Sequence, residues 1–389
     1  MRAVMFAEPH PRSAVELVLQ GYAGLIDNRR AQPLALEAAV AAMAPATRAA
    51  ITADLKCFLK WCAGQRPVVI AIPATPETLV HYLRWLDAGS NSGAVGSPGA
   101  RPATLARRLA SIARVHRVLG FGETEPLPTQ AGMVRDTLRG IRRARSTRQS
   151  QAAPLRLGIA MNEGEGPPEG VTLRSLLAAC GGDLPGLRDA AIISLAYDAG
   201  LRVSELVSVE VEDLSRVGDG TGRMRIRRSK TDQEGEGALA WLSAETMHRI
   251  QDWLDASKTN AGLVFRRINT LCHRTRAGFT REVRHYVGGN ALTRQGVVAI
   301  LRKRALEAIE QGHVKLPTGE EVETIKAISA HSFRVGLTQD LFAAGEDGAQ
   351  IALAMRWSSP TTALRYAREL VVGSNAAARV LAARRQSVE

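Results

Sequence analysis

The 389 residues are enough for two domains with separate cores. A formal charge of +13 and a pI near 10.2 point to a polyanionic partner, nucleic acid first, with a membrane surface or plain solubility as the blander accounts. Aromatic residues are only 4% of the chain, which excludes a protein that reads single strands by base stacking.

Cys57, Cys62, Cys180 and Cys272 show no CxxC or Cys/His ligand spacing, so no metal and no cofactor is expected, and all four read as reduced structural thiols. The opening residues from Met1 to Glu8 lack the apolar stretch of a signal peptide. No uncharged apolar run reaches the ~18 residues that span a bilayer. A cytoplasmic protein with no membrane partner is the expectation.

Residues 1–40 read as an N-terminal arm. From Thr47 onward Ile51, Leu55, Phe58, Leu59 and Cys62 recur at helical spacing, with Arg48, Lys56 and Lys60 largely off that stripe. A second helix opens at Pro76 behind Thr75 as N-cap and carries Leu79, Tyr82, Leu83 and Leu86. After a Gly/Ser-rich connection, a third helix runs from about Pro102 to Leu119 and a fourth from about Gln130 to Arg145. Residues 41–150 are therefore expected to form a small all-α module. Residues 151–170 read as a linker, and helical periodicity then holds from Leu173 through Val207. Met224 and Ile226 alternate with Arg223, Arg225 and Arg227, a turn follows around Lys230, and Ala238 to Leu242 returns, which predicts a β-hairpin. Beyond it the pattern is mostly helical to residue 389. The fold class is mainly α with a small β-sheet (α+β).

Chemistry concentrates in four boxes. Arg202 stands in Gly200-Leu-Arg-Val-Ser-Glu205, where Glu205 at i+3 can orient the guanidinium. His331 and Arg334 form a second i,i+3 pair, with Val335-Gly336 directly behind. Trp357 offers an indole N–H beside an apolar wall. Tyr366 follows Ser358-Ser359-Pro360, a cap and proline that start a new helix. Arginine forks clamp nonbridging phosphate oxygens, histidine and indole add aimed hydrogen bonds, and a phenolate is a covalent nucleophile. These are parts for breaking a phosphodiester without metal.

In this order the boxes resemble the tyrosine recombinase (phage integrase) family. The likeness is specific over 189–231 and 329–370 and looser in the N-terminal module. It departs at Met355-Arg356-Trp357, where most members carry a Gly-His pair, and at 158–170, which reads as an insertion. The resemblance implies a helical, SAM-like core-binding domain (41–150) and a catalytic domain (171–389) that form a C-shaped clamp on DNA. It implies catalytic roles for Arg202, Glu205, Lys230, His331, Arg334, Trp357 and the nucleophile Tyr366, with Lys230 on the hairpin as the acid for the leaving 5′ oxygen. DNA contacts are expected from Arg48, Lys56, Arg107, Arg108, Arg117 and Arg294. The implied partners are double-stranded DNA with an inverted-repeat site and a homo-tetramer on synapsed DNA, closed by a trans-docking helix over 374–383. A nucleoid setting of prokaryotic, phage or plasmid origin follows. Two rivals stay open: a type IB topoisomerase, and a DNA-binding regulator whose arginines only contact phosphates.

Overall fold

The computed structural model describes residues 33–89, 99–145, 151–159, 170–227, 237–274 and 281–366. They belong to two compact units, one within 1–150 and the other within 151–389.

Among the described residues, five α-helices build the first unit: α1 (Pro33–Ala41), α2 (Pro45–Gly64), α3 (Pro76–Asp87), α4 (Pro102–Val118) and α5 (Gly132–Ala144). Proline opens α2, α3 and α4, where its missing N–H costs nothing. Thr75 caps α3 by accepting the Thr78 N–H at 3.2 Å. Leu55, Phe58, Leu79, Tyr82, Leu86, Leu105 and Ile112 fill the core. The Phe58, Trp61 and Tyr82 rings meet at centroid distances of 4.9 to 6.3 Å and lock α2 against α3. The expected arm ends sooner than residue 40, because Leu36 and Val40 of α1 are buried in this core. His116 is also buried; its Nε2 accepts the Ala74 N–H at 3.0 Å and its Nδ1 lies 2.8 Å from the Ile112 carbonyl. That pairing requires the neutral imidazole, and burial lowers its pKa accordingly.

The second unit begins before the expected linker ends. Residues 151–159 are extended and packed: Leu155 is buried, and its N–H donates to the Ser332 carbonyl at 3.0 Å. The stretch read as one helical run is three helices, α6 (Leu173–Ala178), α7 (Leu184–Asp198) and α8 (Val203–Leu206). Strands β1 (Leu214–Arg216), β2 (Gly222–Ile226) and β3 (Ala238–Leu242) form an antiparallel sheet in that order, which includes the predicted hairpin. Then come α9 (Ala244–Ser257), β4 (Arg266–Arg274), β5 (Arg281–Ala291), α10 (Arg294–Glu310), α11 (Glu321–Ala327), α12 (Ser332–Ala343), α13 (Gly348–Ala354) and α14 (Pro360–Tyr366). The antiparallel β4–β5 ribbon interrupts the mostly helical pattern expected beyond the hairpin.

Helix α12 is anchored from both sides. Asp340 accepts from Arg156 Nε at 2.5 Å, from the Leu157 N–H at 2.7 Å and from the Tyr197 hydroxyl on α7. Burial and this carboxylate raise the Tyr197 pKa, so the phenol stays a donor. A Cβ at Gly336 would lie 1.9 Å from the Leu155 carbonyl oxygen, so glycine is what lets the 151–159 segment lie against α12. Among the described residues no single helix is long and apolar enough to cross a membrane, and no cluster of His, Cys, Asp or Glu could hold a metal.

Candidate active site

Helix termini carry most of the residues singled out in the sequence. Arg202 is the N-cap of α8, and Glu205 reaches back to it twice. One Glu205 oxygen accepts from Arg202 Nη1 at 2.7 Å and the other from the Arg202 backbone N–H at 2.9 Å. The pair is buried on the acid side and 20% exposed on the arginine side, so the guanidinium faces outward from a fixed base.

Arg334, on the first turn of α12, is 1% exposed. Its Nη1 donates to the Gly200 carbonyl and its Nη2 to the Met355 carbonyl at 3.0 Å. Met355 caps the C-terminal end of α13, where unpaired carbonyls favour a cation. Burial, then the neighbouring Arg202 and Arg356, push the Arg334 pKa down to about 10, which still leaves it charged at neutral pH. Gly200 is left-handed (φ 51°), and a Cβ there would meet the Met355 sulfur at 2.9 Å. The close approach of these two turns therefore depends on that glycine.

His331 is the N-cap of α12, and its Nε2 lies 2.8 Å from the Tyr366 hydroxyl at the end of α14. Desolvation, followed by Arg334 and Arg202, lowers the His331 pKa below its ordinary value. The imidazole is therefore neutral at physiological pH and able to accept the phenol proton. Trp357 stacks on Tyr366, with centroids 5.0 Å apart and planes 9° from parallel. Its other neighbour is the Arg334 guanidinium, 5.4 Å from the indole centroid. Ile351, Met355 and Ala363 form the small apolar core beneath.

The structure thus gathers Arg202, Glu205, His331, Arg334, Trp357 and Tyr366. Lys230 lies outside the described residues. So does the 374–383 segment. One participant escaped sequence reasoning: Arg356, whose Nη2 donates to the Gly200 carbonyl at 3.2 Å and sits 3.7 Å from Glu205. Its only sequence signal is its place beside Trp357, at a position where the family pattern has glycine.

The expected DNA contacts divide. Lys56, Arg117 and Arg294 are exposed, Arg48 is half-buried, and Arg107 is half exposed while bonded to Asp54 at 2.5 Å. Arg108 is corrected to an internal role. Its Nη1 donates to Cys57 Sγ at 2.9 Å and to the Tyr82 hydroxyl at 3.3 Å, because position 108 falls on the buried stripe of Leu105, Leu109 and Ile112.

The sequence profile described as Phage integrase family matches residues 170–371, more than half of the chain. The chain belongs to the phage integrase family. Its class is that of the tyrosine-type site-specific recombinases. The integrase/recombinase xerD homolog of Selenomonas ruminantium is 30% identical to this family member over 233 residues, 58% of this chain and 60% of that one. Recombinase cre of Escherichia phage P1 is 26% identical over 312 residues, 79% of this chain and 80% of that one. Among solved structures, the Tn1549 transposon integrase in complex with transposon right end DNA shares the fold, with a TM-score of 0.51 and 15% identity over 90% of this chain and 94% of that one.

Proposed function

We propose that this integrase-family chain is a Cre-like site-specific DNA recombinase that breaks and rejoins duplex DNA through a 3′-phosphotyrosine. The observation that carries the reading is the 2.8 Å contact between the Tyr366 hydroxyl and His331 Nε2, set beside Trp357 and Arg334. His331 takes the phenol proton as the Tyr366 oxygen forms its bond to the scissile phosphorus. The bond from phosphorus to the 5′ oxygen breaks, and Lys230 supplies the proton for that leaving oxygen. Arg202 and Arg334 stabilise charge on the nonbridging oxygens of the pentavalent transition state, with Trp357 as a further donor. One phosphodiester is exchanged for another, so the bond energy is retained in the phosphotyrosine. Attack by a 5′ hydroxyl of a partner duplex reverses the step, and two such rounds pass through a Holliday junction.

The substrate in this reading is double-stranded DNA carrying inverted repeats, synapsed by four copies in a prokaryotic cytoplasm. The exchange of the 374–383 segment between neighbouring copies belongs to the same proposal. Arg48, Lys56, Arg107, Arg117 and Arg294 are the residues assigned to DNA contact.

The test begins with selection of a bound sequence from a randomised duplex pool. A nicked duplex of that sequence is then incubated with protein and separated on a denaturing gel. A covalent adduct that Tyr366→Phe abolishes, with DNA affinity held within a few-fold, supports the proposal. Cleavage that survives the change means the nucleophile is misassigned. Adduct formation by a single copy without strand exchange between duplexes favours a topoisomerase.

A further inference from the structure

Arg356 stands where a glycine belongs. The end of α13 closes with the Trp357 N–H on the Ala352 carbonyl at 2.8 Å and the Arg356 N–H on the Leu353 carbonyl at 3.1 Å. This is the paired-bond helix stop whose next-to-last residue must be left-handed, and Arg356 adopts φ 55° to serve it. L side chains seldom take that conformation, and it persists only where the surroundings over-determine it. Only one other non-glycine residue among those described has a positive φ, Lys258, and its side chain is exposed. Arg356 instead turns inward, with its side chain 11% exposed.

What it meets there is the framework of the site. Its Nη2 lies 3.2 Å from the Gly200 carbonyl oxygen, which also receives Arg334, and 3.7 Å from Glu205 Oε2, which also receives the Arg202 backbone. Arg356 therefore touches both the acid holding Arg202 and the carbonyl holding Arg334. Two guanidiniums, those of Arg202 and Arg356, meet the Glu205 carboxylate, and Arg356 contributes to depressing the Arg334 pKa through its charge. Burying a third cation in such a cluster costs folding stability.

We propose that Arg356 is a positioning residue of the cleavage centre, a cross-brace that fixes Glu205 and the Gly200 carbonyl so that Arg202 and Arg334 face one phosphate together. The inference rests on the recombinase reading above. Because its backbone favours glycine, Arg356→Gly separates the brace from the turn: the substitution relaxes the chain while removing the guanidinium together with its methylene stem.

Full-length parent and Arg356→Gly chains are compared in single-turnover cleavage of the nicked duplex that the parent selects from a randomised pool. We expect Arg356→Gly to melt no lower than the parent and to bind the duplex as tightly, yet to cleave about 10–100-fold more slowly, the scale of a slight misplacement of reacting groups. Guanidinium chloride far below denaturing concentration should recover part of that rate, and urea should not. Combining Arg356→Gly with Glu205→Gln should slow cleavage little beyond the slower single change, because both act through one contact. Parental cleavage by Arg356→Gly overturns the proposal, as do full additivity with Glu205→Gln and a loss that guanidinium leaves untouched. Should the glycine variant melt lower, Arg356→Met decides: both contacts run through one nitrogen, Nη2, and methionine keeps an unbranched side chain with no donor for either acceptor, so a rate equal to the parent's refutes the brace. If the parent itself forms no adduct, the recombinase reading fails instead.

Discussion

Replacing Glu205 with glutamine tests the electrostatic frame of the site directly. Glu205 is 5% exposed and offers two oxygens, at 2.7 Å to Arg202 Nη1 and 2.9 Å to the Arg202 N–H, with Arg356 at 3.7 Å. Glutamine keeps one acceptor oxygen but removes the carboxylate that meets Arg202 and Arg356. Breaking a fully buried ion pair by deleting one partner costs ~3–5 kcal/mol. Arg202 retains 20% exposure and the amide saves one hydrogen bond, which brings the expected loss to about 2–3 kcal/mol. For a unit of this size each kcal/mol shifts Tm by ~2–4 °C, so calorimetry should record a drop of roughly 4–12 °C. Single-turnover cleavage should fall about 100-fold as Arg202 loses its orientation. DNA affinity at low salt should hold or rise, since the site becomes more positive. A variant that melts within about 1 °C of the parent would refute the assignment of Glu205 as the buried counterion.

Lys230→Ala should slow strand cleavage by roughly 10²–10⁴, and a bridging 5′-thio leaving group, which needs little protonation, should restore most of the rate; no rescue would give Lys230 another role. Because the His331 pKa is lowered, the imidazole stays neutral down to below its ordinary 6.5, so the cleavage rate should be flat from neutral pH downward and fall only in more acid buffer. The same shift, with that of His116, contributes stability that is complete above about pH 6.5 and is lost as pH falls through the lower folded values; an acid limb of cleavage that persists in His331→Gln would assign it elsewhere. Arg294 is exposed at the first turn of α10, and Arg294→Ala should relax binding by ~1–3 kcal/mol at one base position of a randomised target, whereas uniform loss across sequences would make it a phosphate contact.

Much of the site was legible because each box is local. Arg202 and Glu205, like His331 and Arg334, are spaced so that one helical turn brings them together, and Ser359-Pro360 marks the start of the helix that ends at Tyr366. The helix starts at Pro76 and Pro102 were legible for the same reason, whereas the helix opening at Pro33 was read as part of an arm. What escaped depends on contacts distant in the chain. Residues 281–291 carry Val283, Tyr286 and Val287 at three- and four-residue spacing, which imitates a helix, yet pairing with 266–274 makes them strand. Arg108 looked basic and therefore available, although its place on the Leu105–Leu109–Ile112 stripe already directed it inward. Nothing local announces that Asp340 gathers Arg156, Leu157 and Tyr197, because those partners lie far upstream. Arg356 was hidden differently: its left-handed backbone follows from the turn between α13 and α14, and the residue type argues against it.

The way this site holds its cations bears on what it can do to a phosphate. A guanidinium fixed by carboxylates is oriented but neutralised, and a neutral clamp gains little from an incoming anion. Here Arg334 is fixed instead by two backbone carbonyls, those of Gly200 and Met355. Carbonyl dipoles satisfy its donors without cancelling its charge. Among the described residues Glu205 alone opposes the three arginines, and it does so from beneath Arg202 and Arg356, the latter also bonded to the Gly200 carbonyl. The cluster therefore keeps a formal excess of two positive charges while its members are held in place. Both carbonyls come from turns that end helices, α7 running into Gly200 and α13 into Met355, which explains why short helices with sharp stops surround the site. A positive field already oriented before substrate arrives needs no rearrangement as charge develops on the phosphate, and that is the condition under which electrostatic stabilisation is strongest.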